Sequence, residues 1–168
     1  GLGKGDGTVK AVQEIVRTSQ VPLVIDADAL TALKDNLKVL TENTAAKILT
    51  PHSGEFSRLT GLEIEYINSN RLFLAVKYAK KWNVILLLKG APTIVALPNG
   101  AAYLVNSGTS AMATGGSGDV LTGVIAGLVA QGLEPDAAAI CGAYLHGLAG
   151  TLATNGAPGL AAGEIAQN

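Results

Sequence analysis

The chain has 168 residues, 48% hydrophobic and 15% charged, with a formal net charge of −1. That composition is globular, not disordered, and long enough to bury a core in one domain. A near-neutral balance gathers neither nucleic acid nor anionic lipid, so any polyanion site has to be local, built from backbone dipoles and a few cations.

The first residues, GLGKGDGT, read as a loop and lack the layout of a signal peptide. They begin without Met, and the expectation is a single domain spanning 1–168 that is incomplete at its N-terminus. VPLVID, residues 21–26, is a short apolar strand run ending in acid, followed by helix-like ADALTALKDN. AKILT, residues 46–50, is a second strand run; the breaker PHSGE leads into a helix that stops at Gly61. From residue 63 to 82, Ile67, Leu74, Ala75, Tyr78 and Trp82 recur at helical spacing, with Arg71 completing the row and Lys77, Lys80 and Lys81 in the last turns.

NVILLL, residues 83–88, is continuously apolar, as expected of a strand covered on both faces. TIVAL and AAYLV flank Pro98-Asn99-Gly100, a strong hairpin signal. MATGGSGD, residues 112–119, then opens into a helix whose Val120, Leu121, Val124, Ile125, Leu128 and Val129 make one broad apolar face. Its Gly123, Ala126, Gly127 and Ala130 are small enough for close packing, and the helix is expected to be buried. A further helix is expected over residues 135–150. Alternating strands and helices predict an α/β domain, with a mostly parallel sheet flanked by helices and one antiparallel hairpin. No apolar run approaches the ~20 residues of a membrane span. Cys141, the single cysteine, is expected to be a small buried thiol, and one cysteine suits a reducing, cytoplasmic setting.

In such sheets ligands bind beyond the carboxyl ends of the strands. Asp26, Asp28, His52, Glu55, Lys89, Asn106 and the glycine loop all follow strand runs, so they are expected to converge on one edge. Gly115, Gly116 and Gly118 allow close backbone approach at a helix N-terminus, and Thr114 or Ser117 adds hydroxyl donors, which together favour an anion such as phosphate. Asp119 is either a helix-start acid facing the dipole or a general base beside a transferring phosphoryl group. His52 is structural or catalytic, in a turn where Ser53 is the candidate helix cap. Lys89 either snorkels to solvent or meets a phosphate. Asp28 is an N-cap or, with Asp26, a partner for substrate or hydrated Mg²⁺. No metal-ligand spacing is present, since His52 and His146 stand far apart.

GLG at the start, VIDADAL, LTPHSGEF, LLLKGAPT and MATGGSGDVLTGVIAGLVAQG, in that order, resemble the NAD(P)H-hydrate dehydratase family of the ribokinase-like superfamily. The resemblance implies a repair lyase that restores hydrated NADH or NADPH through phosphorylation of the ring hydroxyl, with ADP or ATP as co-substrate and Mg²⁺. It implies Asp119 as the base and, with Gly1, Gly3 and His52, as a contact to the damaged dinucleotide. Lys89, Gly90, Ala91, Pro92 and Thr93, and the loop Gly115, Gly116, Ser117 and Gly118, would bind the adenine nucleotide. It further implies a homo-oligomer and an epimerase domain or protein as partner, while the charge balance and the lack of a long apolar run lead to the expectation of no nucleic-acid or membrane partner. Ser117 stands where many relatives have threonine, which keeps the hydroxyl. Family domains carry a further stretch before the GLG segment, so the isolated chain is expected to be unstable or inactive unless another chain supplies it. The rival readings are a hydroxyethylthiazole-type kinase, whose product would keep its phosphate, and a non-catalytic nucleotide-binding module.

Overall fold

Alternation within the 83–88 run decides the architecture. In the computed structural model, which describes residues 2–3, 5–154 and 161–167, all four residues of that strand are buried. Leu86 and Leu88 enter one core, and Ile85 and Leu87 enter another on the opposite face. A strand with no polar face needs cover on both sides, which the helices provide.

Five strands form one sheet: β1 (Leu23–Ile25), β2 (Lys47–Leu49), β3 (Ile85–Leu88), β4 (Thr93–Ala96) and β5 (Ala102–Val105), in the order β1-β2-β3-β4-β5. The β1–β2 and β2–β3 pairs are parallel, and the β3–β4 and β4–β5 pairs are antiparallel. Only β4 runs against the rest, so β1, β2, β3 and β5 all end at one edge. The Asn-Gly signal marks the hairpin correctly, but the loop holds three residues. Gly100 N–H donates to the Leu97 carbonyl (2.9 Å), Leu97 N–H donates to the Ala101 carbonyl (2.8 Å), and Gly100 takes φ 99°.

On one face lie α1 (Asp6–Thr18), α2 (Ala27–Leu33), α3 (Ser53–Thr60), α4 (Ile64–Ser69) and α5 (Arg71–Trp82); their core includes Phe56, Tyr78 and Trp82, packed ring to ring at 4.8–6.0 Å. On the other lie α6 (Ser117–Ala130) and α7 (Pro135–Thr154), which pack Leu121, Ile125, Ala138, Ala139 and Ala143 on the sheet. A short α8 (Ala162–Ala166) follows.

Several expectations need correcting. The opening residues are not all loop: α1 forms there and buries Val12 and Val16, a spacing that the glycines around it obscured. The 63–82 helix is two helices, because the Asn70 side chain donates to the Tyr66 carbonyl (2.9 Å) and its backbone leaves the helical region (φ −131°, ψ 26°). Helix α6 buries only Ser117, Leu121 and Ile125, and nothing crowds its Gly123 or Gly127. Close packing belongs to α7 instead. A Cβ on Gly142 would lie 2.6 Å from Ile125, and Gly147 and Gly150 press on Ser107 and Met112. Cys141 is exposed, because the face of α7 turned to the protein runs through Ala138, Ala139, Gly142 and Ala143, one position off. Length and composition alone would let α7 cross a membrane, contrary to the expectation of no such run; here it packs on α6 and the sheet.

Candidate active site

The exits of β1, β2 and β3 converge as expected, whereas Asn106, after β5, lines a separate pocket with Ile140, Cys141 and Tyr144 of α7. Thr50 N–H donates to the Ile25 carbonyl (3.1 Å) and Lys89 N–H to the Pro51 carbonyl (2.9 Å), tying the ends of β1, β2 and β3 together. Over this edge the Lys89 ammonium meets Asp26 at 2.9 Å and Glu55 at 3.7 Å. Thr122 of α6 adds a hydroxyl donor to Asp26 (3.3 Å). All three charged side chains are largely withdrawn from water, at 21%, 10% and 9% exposure, so the one cation offsets carboxylates that would otherwise be costly to bury. Lys89 therefore neither snorkels nor faces outward; it turns in between two acids.

His52 is the N-cap of α3. Its Nδ1 accepts from Gly54 N–H (3.0 Å) and Glu55 N–H (3.3 Å), while Glu55 accepts from His52 N–H (2.9 Å), a capping box. Ser53, the expected cap, donates instead to Asn68 (2.8 Å). Because Nδ1 accepts, the neutral ring carries its proton on Nε2, which lies 3.5 Å from Glu55 and is half exposed. The structural role thus fixes the ring and leaves one edge of it at the site. Asp28 is not a helix cap either. Asp26 holds the N-cap position of α2, Ala27 sits at φ 50°, and Asp28 accepts from Gly3 N–H (3.1 Å), drawing the N-terminal segment to this edge. Gly1 lies outside the described residues.

The opposite wall is backbone. Gly116 (φ 89°) precedes α6, and no side chain caps that helix, so the Gly118 and Asp119 N–H groups lack an intrahelical partner and face outward. A Cβ on Gly118 would lie 3.2 Å from both Asp26 and Lys89, which seats the glycine loop directly on the charged cluster. Asp119 is exposed in the first turn of α6, and its carboxylate has no partner among the described residues. Behind the loop, Ser117 Oγ lies 3.2 Å from His146 Nε2 on α7. Burial pushes the His146 imidazole below its ordinary range; the nearby Lys89 charge pushes the same way, against a hydrogen bond at the Ser117 backbone. Nothing in the sequence links His146 to this loop, 29 residues away, except that both follow glycine-rich or small-residue patterns.

The site thus brings together Gly3, Asp26, Asp28, His52, Glu55, Lys89, Ser117, Gly118 and Thr122, with Asp119 at its rim. The sequence family described as NAD(P)H-hydrate dehydratase matches over residues 1–167. The chain belongs to that family. It is 52% identical over 150 residues to the bifunctional NAD(P)H-hydrate repair enzyme Nnr of Moorella thermoacetica, covering 89% of this chain and 28% of that protein. It is 38% identical over 172 residues to the ADP-dependent (S)-NAD(P)H-hydrate dehydratase of Neisseria meningitidis, covering 99% and 58% respectively. The Bacillus subtilis ADP/ATP-dependent NAD(P)H-hydrate dehydratase, co-crystallised with ATP and Mg²⁺, superimposes with a TM-score of 0.84 at 33% identity, over 96% of this chain and 57% of that one. The chain therefore spans between about a quarter and three-fifths of the length of these relatives. Within the family frame, the fold is ribokinase-like, as the motifs implied.

Proposed function

We propose that this chain carries the dehydration step of NAD(P)H repair, removing water from NADH or NADPH hydrated on the nicotinamide ring at the expense of ADP or ATP. One observation carries the reading: Gly118 rests on Lys89 and Asp26, so the uncapped start of α6 opens at the strand-exit edge beside the exposed Asp119 carboxylate.

Hydroxide is a poor leaving group, and the site's groups suit its conversion to a good one. Asp119 takes the proton of the ring hydroxyl as that oxygen attacks the terminal phosphoryl group. The bond from phosphorus to the bridging oxygen breaks, releasing AMP from ADP, or ADP from ATP. The N–H groups of Gly118 and Asp119 meet the charge that develops on the phosphoryl oxygens, while the Ser117 hydroxyl, buried against His146, holds the loop from behind. The ring nitrogen's electron pair then expels phosphate, and loss of a proton from the neighbouring ring carbon restores the dihydronicotinamide. In this reading Gly1, Gly3 and His52 contact the dinucleotide. The nucleotide lies along Lys89, Gly90, Ala91, Pro92 and Thr93, and against Gly115, Gly116, Ser117 and Gly118.

Among the described residues no three His, Cys, Asp or Glu side chains gather to cage a metal. That donor set suits a magnesium ion carried on the phosphates, with Asp28 more available to its waters than Asp26, which Lys89 and Thr122 hold; the ion would neutralise charge on the transferring group. ADP is the favoured co-substrate, supported by the ADP-dependent relative in Neisseria meningitidis. A homo-oligomer belongs to the same reading, supported by Tyr144, Leu145, Leu148 and Leu152 exposed along α7. So do an epimerase partner and a reducing, cytoplasmic setting, the latter supported by a single exposed thiol.

The test is recovery of dihydronicotinamide absorbance from hydrated NADH with Mg²⁺ and either ADP or ATP. Recovery that needs a nucleotide and releases inorganic phosphate sustains the reading. A stable phosphorylated product would replace it with a small-molecule kinase.

A further inference from the structure

Arg71 is poorly explained by its own helix. It stands at the first position of α5, where a cation opposes the helix dipole, in a row whose other members are apolar and buried. Its guanidinium is half-buried, and its buried Nε has no hydrogen-bond partner. No carboxylate pairs with it among the described residues; its partners are carbonyls and one hydroxyl. Nη2 donates to the carbonyls of Leu88 (3.1 Å), Lys89 (3.4 Å) and Pro92 (2.9 Å), and Nη1 donates to the Lys89 carbonyl (3.3 Å) and Ser53 Oγ (3.4 Å). One planar fork thus grips both ends of the segment from Lys89 to Thr93, a geometry that an ammonium cannot reproduce.

Two consequences follow from elementary geometry and charge. The peptide between Lys89 and Gly90 is trans, so its C=O and N–H point in opposite directions. With the Lys89 carbonyl drawn in to Arg71, the Gly90 N–H faces away from it, and Gly90 is exposed. Gly90 itself has φ 153°, and a Cβ there would lie 2.5 Å from the guanidinium, so only glycine permits this approach. Lys89, the cation that the strand pattern offers for phosphate, is offset by Asp26 and Glu55. Arg71 has no such offset. Lys47, the other buried cation held by carbonyls, caps a turn at the start of β2, on the opposite edge of the sheet.

We propose that Arg71 is the positioning residue of the nucleotide phosphate seat: it draws the Leu88, Lys89 and Pro92 carbonyls inward, turns the Gly90 N–H outward, and sets an uncompensated positive charge behind it. The proposal rests on the nucleotide reading above and names the charge that serves it. The ligand class is a phosphate oxyanion, here the polyphosphate of ADP.

Calorimetric binding of ADP and of adenosine to the purified protein, its Arg71→Lys variant and its Arg71→Gln variant provides the test. Arg71→Lys keeps the charge and loses the fork; Arg71→Gln loses both. The ratio of ADP affinity to adenosine affinity should fall about tenfold in Arg71→Lys and further in Arg71→Gln, the scale of losing hydrogen bonds to a charged group. Equal losses for both ligands, or an unchanged ratio, would overturn the proposal by making Arg71 a fold residue only. Binding of ADP by the unmodified protein keeps that failure distinct from failure of the nucleotide reading; no binding at all removes both. Should the variants not fold, the Gly90 amide resonance of the unmodified protein decides: a shift on ADP titration, and none with adenosine, supports the proposal, and its absence overturns it.

Discussion

The two walls of the cleft are held by different means. At the strand exits, side chains do the holding: Lys89 between Asp26 and Glu55, Arg71 across three carbonyls, His52 in its capping box. At the glycine loop, backbone does it, and one side-chain contact, Ser117 to His146, reaches the loop from α7. The support there comes from glycines, since Gly147 and Gly150 let α7 press on Ser107 and Met112 without side chains between. The exposed Asp119 therefore stands on the wall with fewer side-chain restraints, while the charged cluster opposite is locked by its own partners. The buried charges and the exposed carboxylate have different neighbours: partners on every side for one, open solvent for the other.

The largest effect that would sharpen this contrast is chemical. Asp119→Asn should lower turnover by about 10²–10⁴-fold, the usual worth of a general base, with ADP affinity nearly unchanged in calorimetry. A matching loss of ADP affinity would make the carboxylate part of the wall and not of the chemistry. Next comes Lys89→Met, which leaves Asp26 and Glu55 withdrawn from water without their cation. Urea unfolding should show a loss of about 3 kcal/mol, and a neutral result would break the picture of a locked cluster.

On the glycine side the expected effects are smaller and opposite in sign at two positions. Gly147→Ala places a Cβ 2.6 Å from the Ser107 backbone and should cost about 1–3 kcal/mol. Gly123→Ala, in open space within α6, should add about 0.5–1 kcal/mol through helix propensity. Equal outcomes for the two would mean that α7 does not support the loop through close packing.

The smallest effect is a pH slope. Burial holds the folded-state pKa of His146 below the ordinary value of 6.5, so the unfolded chain binds the proton first as pH falls. This contribution to stability is complete above about 6.5. It declines as pH drops from there through the lowered folded value. His146→Gln should flatten that part of the urea-midpoint profile, and a slope identical to the unmodified protein would assign it to other groups.

Much of the site was legible in the chain because the relevant signals are local. Apolar runs ending in polar residues placed Asp26, His52 and Lys89 at one edge, and the glycines before an apolar helix marked the loop. What escaped were partners. Lys89 and Asp26 are 63 residues apart and Thr122 and Asp26 are 96 apart, and no local pattern says that they meet. Arg71 fell in the apolar row without a reason, because its reason lies on β3 and in the segment after it. The exposed Cys141 and the partly exposed α6 were misjudged for a related cause. Apolar periodicity tells how wide a helix's hydrophobic face is, and not how much of it a neighbour covers.

The sequence by itself determined that strands and helices alternate, that the 83–88 strand is covered on both faces, and that a glycine loop opens a helix beside a lone carboxylate. These follow from periods of two and 3.6 residues and from glycine's backbone freedom, which are properties of a few neighbouring residues. Only the tertiary structure decided which cation is offset and which is not. That depends on strand order: placing β1, β2 and β3 side by side brings two carboxylates to Lys89 and leaves Arg71 with carbonyls and one hydroxyl.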